Sequence, residues 1–310
     1  MVAYLNMFPI LLSIGKISIF SFGIFLSLSF LLGIFLVWRL SRAWELDEEK
    51  VLDLTLLSLL GGLVVSRIYF AVEHLQFFLE HHLAILAINK YPGFSFWGGV
   101  FGGILTLFLL VGRKKDNFLQ ALDIASVGVT GGLILANFGC FLGGCNIGIT
   151  SNLFFAVNMM GVLGKRFPVQ TLEALLLILA INKIWSMATH FHQRGKIFSV
   201  SLIYIAAIKL LMEPLKQNHD EGVLFSVLLL ILGAYTFYKV TKRKLLLDLK
   251  EAVLFLYKLP TDSKTRNYTL DRLKKYWYNR RVVISWNLRN FKKILRRFNV
   301  RLSYKNNKQY

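Results

Sequence analysis

The sequence predicts an all-α, polytopic membrane protein of about seven transmembrane helices, with the N-terminus outside, the C-terminus in the cytoplasm, and a basic amphipathic helical tail. Three observations predict it. The 310 residues are 55% hydrophobic with a mean hydropathy of +0.53, whereas a soluble domain is about 45–50% apolar. The apolar residues are gathered into blocks that reach or approach the roughly 20 residues needed to cross a bilayer. The basic residues between those blocks alternate in density from one loop to the next.

The blocks fall near residues 17–38, 53–73, 96–112, 118–138, 170–189, 198–213 and 222–240. The first is too long for a signal peptide and lacks a small-residue cleavage site, so it reads as a retained span. Arg39, Arg42 and Lys50 follow the first block, Arg113, Lys114 and Lys115 the third, and Arg194 and Lys196 the fifth. The opposite loops hold less: Lys90, then Lys165 and Arg166, then Lys216. The positive-inside rule sets the orientation from this asymmetry.

The domain division predicted is a transmembrane domain over 1–240 and a basic cytoplasmic tail over 241–310. From Lys242 onward there are twenty Lys or Arg against four Asp or Glu, a net of +16 within the chain's +20. From Leu270 apolar residues recur at helical spacing: Leu273, Trp277, Ile284, Leu288, Phe291, Leu295 and Phe298. That pattern is a basic amphipathic helix or two, suited to the anionic inner leaflet. Nucleic acid is the competing partner for basic and aromatic residues together, but no recognised nucleic-acid motif is present.

Two glycine-rich stretches interrupt the spans. Gly131 to Gly148 reads GGLILANFGCFLGGCNIG, predicted to begin as a helix and end as an exit from the membrane. Gly93 to Gly103 reads GFSFWGGVFGG. Gly98/Gly102 and Gly99/Gly103 are four apart, which suits close helix packing in lipid or close approach of a ligand to the main chain. Cys140 and Cys145 lie five apart on the predicted outer side. The spacing fits no zinc or thioredoxin motif, and leaves open a disulfide or two small buried residues.

A charge within a membrane span is costly and is normally paired or functional. The predicted topology places Arg67, Tyr69, Glu73, Trp97, Asn137, Gln170, Glu173, Lys209, Glu213 and Lys216 all in the outer half. Lys209 and Glu213 share one helix face. Asn182 and Lys183 lie at the other level and read as snorkelling. The shared depth suggests a polar cavity in the outer leaflet whose cations suit an anionic head group, Arg best of all for phosphate. Separate snorkelling of each residue to the outer interface is the alternative.

Taken in order, FGIFLSLSF, GGLVVSRIYF, GFSFWGGVFGG, GRKK, ASVGVTGGLILANFGCFLGGCNIG, RFPVQTLEA and IKLLMEPLK resemble the prolipoprotein diacylglyceryl transferase family over about residues 10 to 240. The resemblance implies a multi-pass protein of the bacterial cytoplasmic (inner) membrane, working without a metal or redox cofactor. It implies transfer of the diacylglyceryl group of phosphatidylglycerol to the lipobox cysteine thiol of a prolipoprotein, giving a thioether and releasing glycerol phosphate. It also implies a site. Glu173, Glu213 and Lys209 would be catalytic. Arg67, Asn137, Gly139, Gln170, Lys209 and Lys216 would bind phosphatidylglycerol. Trp97, Gly98, Gly99, Gly143 and Gly144 would line the site.

The chain departs from the family pattern at several positions. Trp97 stands where the family has a histidine, and indole takes no proton. The arginine of the Gly-Arg-x-Gly signature falls on Asn137. An Arg, Glu, Arg pattern appears as Lys209, Glu213 and Lys216, and the first-span Tyr-Gly pair reads Phe22-Gly23. Pro168, Gln170 and Glu173 keep the Pro-x-Gln-x-x-Glu pattern, and Arg67 keeps the second-span arginine. Two further readings stand beside the transferase: a non-catalytic relative that binds phospholipid or lipoprotein precursors, and a small transporter. The transporter is disfavoured by polar groups at a single depth and by the lack of a visible internal repeat.

Overall fold

The computed structural model describes residues 9–14, 17–87, 91, 93–112, 115–159, 162–217 and 220–306. Three of the loop cations used for orientation, Lys90, Arg113 and Lys114, lie outside these residues. The chain divides into two compact units, Met1–Lys242 and Arg243–Tyr310.

The first unit opens with an antiparallel hairpin, β1 (Ile10–Ile14) and β2 (Ile17–Phe20), followed by α1 (Ser21–Ala43). The first span was expected from residue 17. Instead β-branched Ile17 and Ile19 favour the strand, and the Ser21 N–H is held by Pro9 O at 2.9 Å, so the helix starts at Ser21. The bundle continues with α2 (Glu48–Glu73), the short α3 (Leu75–Glu80), α4 (Phe96–Val111), α5 (Lys115–Gly143), α6 (Val169–Ala188), α7 (Lys196–Met212) and α8 (Asp220–Thr241). Single 3-10 turns cover His82–Ile85 and Glu213–Leu215. Between α5 and α6 a two-residue pair, β3 (Val157–Asn158) and β4 (Lys165–Arg166), forms a small antiparallel ladder.

Six helices among the described residues are long and apolar enough to cross a membrane: α1, α2, α5, α6, α7 with its terminal turn, and α8. The expected third span, α4, is apolar but shorter, at 16 residues. Large apolar side chains such as Leu31, Leu60, Leu109 and Leu232 are exposed on these helices. That arrangement, with backbone hydrogen bonds satisfied inside each helix, is what a bilayer demands, and the chain is a multi-pass helical membrane protein.

Glycines decide which helices pair. α1 and α5 run antiparallel with Gly33 against Gly128 and Ser29 against Gly132. A Cβ added at Gly128 would stand 2.9 Å from Gly33 O, and one at Gly132 would stand 3.0 Å from Ser29 O. α2 and α4 meet in the same way, where a Cβ at Gly62 would stand 2.9 Å from Gly99 O. Only glycine allows main chain to lie this close to main chain.

The same packing corrects the end of α5. The GGLILANFGCFLGG stretch was expected to leave the helix as it left the membrane, but α5 stays helical to Gly143. Gly139 lies against Phe22 and Phe25, and Gly143 against Phe22. Packing on α1 therefore offsets the low helix propensity of glycine. Gly144, at φ +80°, then ends the helix in the left-handed conformation.

The core joins α1, α5, α6 and α7 through Val37, Leu40, Ile124, Val127, Leu177, Ile184, Ile197 and Ile205. At one end of it Asp123 of α5 is fully buried. Its carboxylate accepts from the backbone N–H groups of Gly195 (2.6 Å) and Phe198 (2.7 Å), which open α7. Trp44 closes the same end, donating its indole N–H to Ala188 O at 2.8 Å.

The second unit consists of α9 (Leu245–Thr261) and α10 (Ser263–Asn306), separated at Asp262. The helical pattern was expected from Leu270 and in fact begins a full helix earlier. The Asp262 carboxylate accepts from the Thr265 hydroxyl (2.6 Å) and from Lys264 N–H (3.1 Å), so it caps α10 and fixes where the chain breaks.

Candidate functional site

The end of the bundle opposite Asp123 collects the start of α6, the end of α7 and the segment after α5. Gln170 and Glu173 lie three apart in the first turns of α6 and are 1% and 2% exposed. α7 presents Lys209 in its last turn and runs into the turn Glu213–Leu215. Pro214 follows Glu213 there and tightens the exit. Lys216 is extended and pairs antiparallel with Gly148. Ile149 N–H bonds Leu215 O (3.0 Å) and Gln217 N–H bonds Ile147 O (2.8 Å), while Phe167 N–H bonds Ile149 O (3.0 Å). These strand-like contacts fix three segments on one another and hold Lys216 in place.

The side chains converge. Lys216 Nζ lies 2.6 Å from Glu213 Oε2 and 3.5 Å from Glu173 Oε1. Lys209 Nζ lies 3.8 Å from Glu173 Oε2. Two ammonium groups thus face two carboxylates at formal neutrality. Glu173 and Glu213 are buried, Lys216 is mostly covered, and Lys209 keeps a third of its side chain exposed. α8 closes over Glu213 at Gly222, where an added Cβ would stand 2.9 Å from Glu213 Oε2.

Two acceptors in this cluster are unspent. The Gln170 amide N–H₂ donates to Asn146 O (2.8 Å) and to Cys145 O, and among the described residues Gln170 Oε1 has no partner. Glu173 Oε1 has the Lys216 ammonium at ion-pair distance but accepts no hydrogen bond. A buried acceptor left unmade costs about 1–3 kcal/mol, so two on one helix face mark a place for donors. The segment that binds Gln170 is itself tied back by a disulfide between Cys140 and Cys145, whose Cα atoms are 5.1 Å apart.

The remaining candidates lie elsewhere. Arg67 is buried, but its guanidinium donates to Ile85 O (2.9 Å), Gly93 O (2.7 Å) and Ala84 O (3.0 Å). Phe70, Phe78 and Phe94 ring it at 5.5–5.9 Å. Among the described residues no hydrogen bond or ion pair joins it to the Glu173 cluster. Asn137 is buried and donates to Leu133 O of its own helix at 2.9 Å. Trp97 stacks on Phe225 of α8 with ring centroids 4.2 Å apart. Gly98 and Gly99 pack α4 on α2, with Gly98 against Tyr69 and Ser66, while Gly139 and Gly143 pack α5 on α1 and Gly144 forms the turn. Tyr69 is exposed.

The sequence groups ten residues by depth; of these the structure joins Lys209, Glu173, Lys216 and Glu213, with Gln170 one turn away on α6, while Arg67, Trp97 and Asn137 have other partners. Sequence reasoning gave no place to the pairing of Gly148 with Lys216, which joins residues 68 positions apart and has no local pattern. It also passed over Asp123, whose signal was plain: a lone carboxylate inside an apolar block. Among the described residues, no three His, Cys, Asp or Glu are grouped to hold a metal ion.

A multi-pass helical bundle with a desolvated Lys–Glu cluster at one end, carrying unspent acceptors, defines a membrane protein with a buried polar site. The chain belongs to the prolipoprotein diacylglyceryl transferase family, whose model matches residues 9–239. Among its relatives, the phosphatidylglycerol–prolipoprotein diacylglyceryl transferase of Finegoldia magna is 24% identical over 205 residues, covering 66% of this chain and 82% of that protein. The enzyme of that name from Lactobacillus delbrueckii subsp. bulgaricus is 24% identical over 220 residues, covering 67% and 79%. The one from Fusobacterium nucleatum is 27% identical over 149 residues, covering 48% and 51%. α9 and α10 lie beyond the family match.

Proposed function

We propose that this protein transfers the diacylglyceryl group of phosphatidylglycerol to the lipobox cysteine of a prolipoprotein, at the outer side of the bacterial cytoplasmic membrane. Seven helices cross, α4 included, with the Glu173 end outward and the tail in the cytoplasm. The observation that carries this reading is the buried Glu173 carboxylate, with an oxygen free of hydrogen bonds and two lysines beside it.

In this reading the lipid phosphate docks on Lys209, the more exposed of the two cations, and draws it from its long 3.8 Å pairing. Lys216, fixed by Glu213, supplies the second charge. The head-group hydroxyls donate to Gln170 Oε1. Glu173 takes the thiol proton as general base. The thiolate sulfur attacks the diacylglyceryl carbon bonded to the phosphate oxygen. The C–S bond forms as the C–O bond breaks, the electron pair stays on that oxygen, and glycerol phosphate leaves. The lysines stabilise the charge that moves onto it. Arg67 is a positioning residue, since three of its five N–H donors hold the main chain of the segment before α4.

A second reading, a non-catalytic binder of phospholipid or lipoprotein precursors, draws on one observation: Trp97 is stacked on Phe225 and offers no base. A mass-spectrometric assay separates the two. Purified protein is given phosphatidylglycerol and a lipobox peptide, with a Cys→Ser peptide as control. A diacylglyceryl mass gain on the cysteine peptide alone is expected. No gain, with lipid binding retained and a relative active in parallel, would leave the binder.

A further inference from the structure

The unit beyond the family match carries its own chemistry. α9 is neutral, with Asp248 and Glu251 against Lys250 and Lys258. α10 is the opposite: fourteen Lys or Arg and a single acid, Asp271, over 44 residues, a rod of about 66 Å at 1.5 Å per residue. Leu270, Trp277, Ile284, Phe291 and Phe298 recur every seven residues, and Leu273, Leu288 and Leu295 fall beside them on the same arc. Lys274, Arg281 and Lys292 flank that arc, while Arg272, Lys275, Arg289, Lys293 and Arg297 fall farther round the helix.

Within the described part of the arc, Leu270 and Leu273 are half exposed and Trp277 is 64% exposed. They line a shallow groove of about 350 Å³ together with Lys274, Tyr278 and Arg281. An apolar stripe bordered by cations and aromatics is the composition of a helix that lies in a bilayer interface. Its lysine and arginine stems bury along the stripe and their charges reach lipid phosphates.

We propose that α10 is a peripheral membrane-binding helix that lies on an anionic bilayer surface. Charge complementarity chooses the occupant, because the one face offers both apolar area and a dense positive border. Chain connectivity supports it, since only α9 separates α10 from the last apolar span, α8. Each cation near such a surface adds to adsorption, and the attraction falls with salt. The proposal does not depend on the transfer reaction.

The test uses the full chain in lipid nanodiscs of phosphatidylcholine alone or with 30% phosphatidylserine, an anionic lipid other than the expected substrate. Hydrogen exchange of the amides over 263–298 is the readout. Exchange at least tenfold slower in the anionic discs is expected. The slowing should be lost in 0.5 M salt and in the Lys274→Glu, Lys275→Glu, Arg281→Glu variant, whose three side chains include two of the groove. Equal exchange in both discs would overturn the proposal. So would protection that grows with protein density in phosphatidylcholine discs, which would mean that a second copy covers the stripe. Protection that appears in either disc only on adding an RNA oligonucleotide would overturn it in favour of nucleic acid.

Discussion

Both ends of the bundle bury a carboxylate, and they use it in opposite ways. Asp123 is met by two backbone N–H groups at 2.6 and 2.7 Å, with the His192 ring 3.9 Å away. Those short, charge-assisted bonds satisfy it and lock the start of α7 to α5. Glu173 is equally buried, yet it has lysines at 3.5 and 3.8 Å and one oxygen that accepts no hydrogen bond. One carboxylate is fully spent on architecture. The other keeps an unspent acceptor, which in the transfer reading proposed above is the oxygen that takes the thiol proton. Burial alone therefore does not identify a functional acid; the state of its acceptors does.

The comparison breaks if the two acids respond alike to neutralisation. Glu173→Gln is expected to lower transfer about 100-fold or more, the usual scale for losing a general base. Its thermal stability should fall less than that of Asp123→Ala, because Lys216 keeps Glu213, Lys209 is partly solvated and no backbone N–H loses its acceptor. Asp123→Ala should do the reverse. It strands two buried N–H groups, costs about 3 kcal/mol of stability, and leaves the activity per folded molecule unchanged. Parallel melting and transfer assays decide, and a Glu173→Gln protein that melts like Asp123→Ala would make both acids structural.

Arg67→Ala sharpens the contrast from the side of a cation. It is expected to cost about 2 kcal/mol, read as faster proteolysis in the segment between α2 and α4. Phosphatidylglycerol affinity that falls without that loosening would instead make Arg67 a phosphate ligand. Lys209→Gln should raise the KM for lipid about tenfold with kcat little changed; a kcat effect alone would move Lys209 into the chemical step.

The smallest effect concerns Asp262. The Thr265 hydroxyl, then the Lys264 N–H, hold its carboxyl below the ordinary value of 3.8. A folded pKa below the unfolded one stabilises α10 fully above pH 3.8, and the effect is lost as pH falls through the lowered value. Exchange of the Lys264 and Thr265 amides should accelerate across that window, and Thr265→Val should move the window upward.

Helix identity was legible because it follows from a one-dimensional rule, and the same rule gave a set of ten polar residues that contains the buried cluster without delimiting it. Apolar runs of bilayer length gave the spans, and alternating direction put Gln170, Glu173, Lys209, Glu213 and Lys216 at one end together with Arg67, Tyr69, Glu73, Trp97 and Asn137. What escaped depends on contact. No local pattern tells that Arg67 gives a donor from each of its three nitrogens to carbonyls 17 to 26 residues ahead of it. Asn137 turning back on Leu133 and Trp97 stacking on Phe225 are choices of rotamer and neighbour. The resemblance gives Gly139 to lipid binding and Gly143 to the lining of the site, whereas in the fold Phe22 and Phe25 of α1 fill the space that a side chain there would take.

The meeting of α2 and α4 bears on how the protein is made. A helix of 16 residues covers about 24 Å, short of a hydrocarbon layer of about 30 Å. As the seventh span proposed above, α4 would depend on α2 for its hold in the bilayer as well as on its own composition. Synthesis from the N-terminus delivers the Gly61–Gly62 surface before Gly98, Gly99 and Gly102, the residues that pack on α2 in the fold. A side chain added at Gly62 would then be felt first as a failure of α4 to insert, before any folded protein existed to be destabilised.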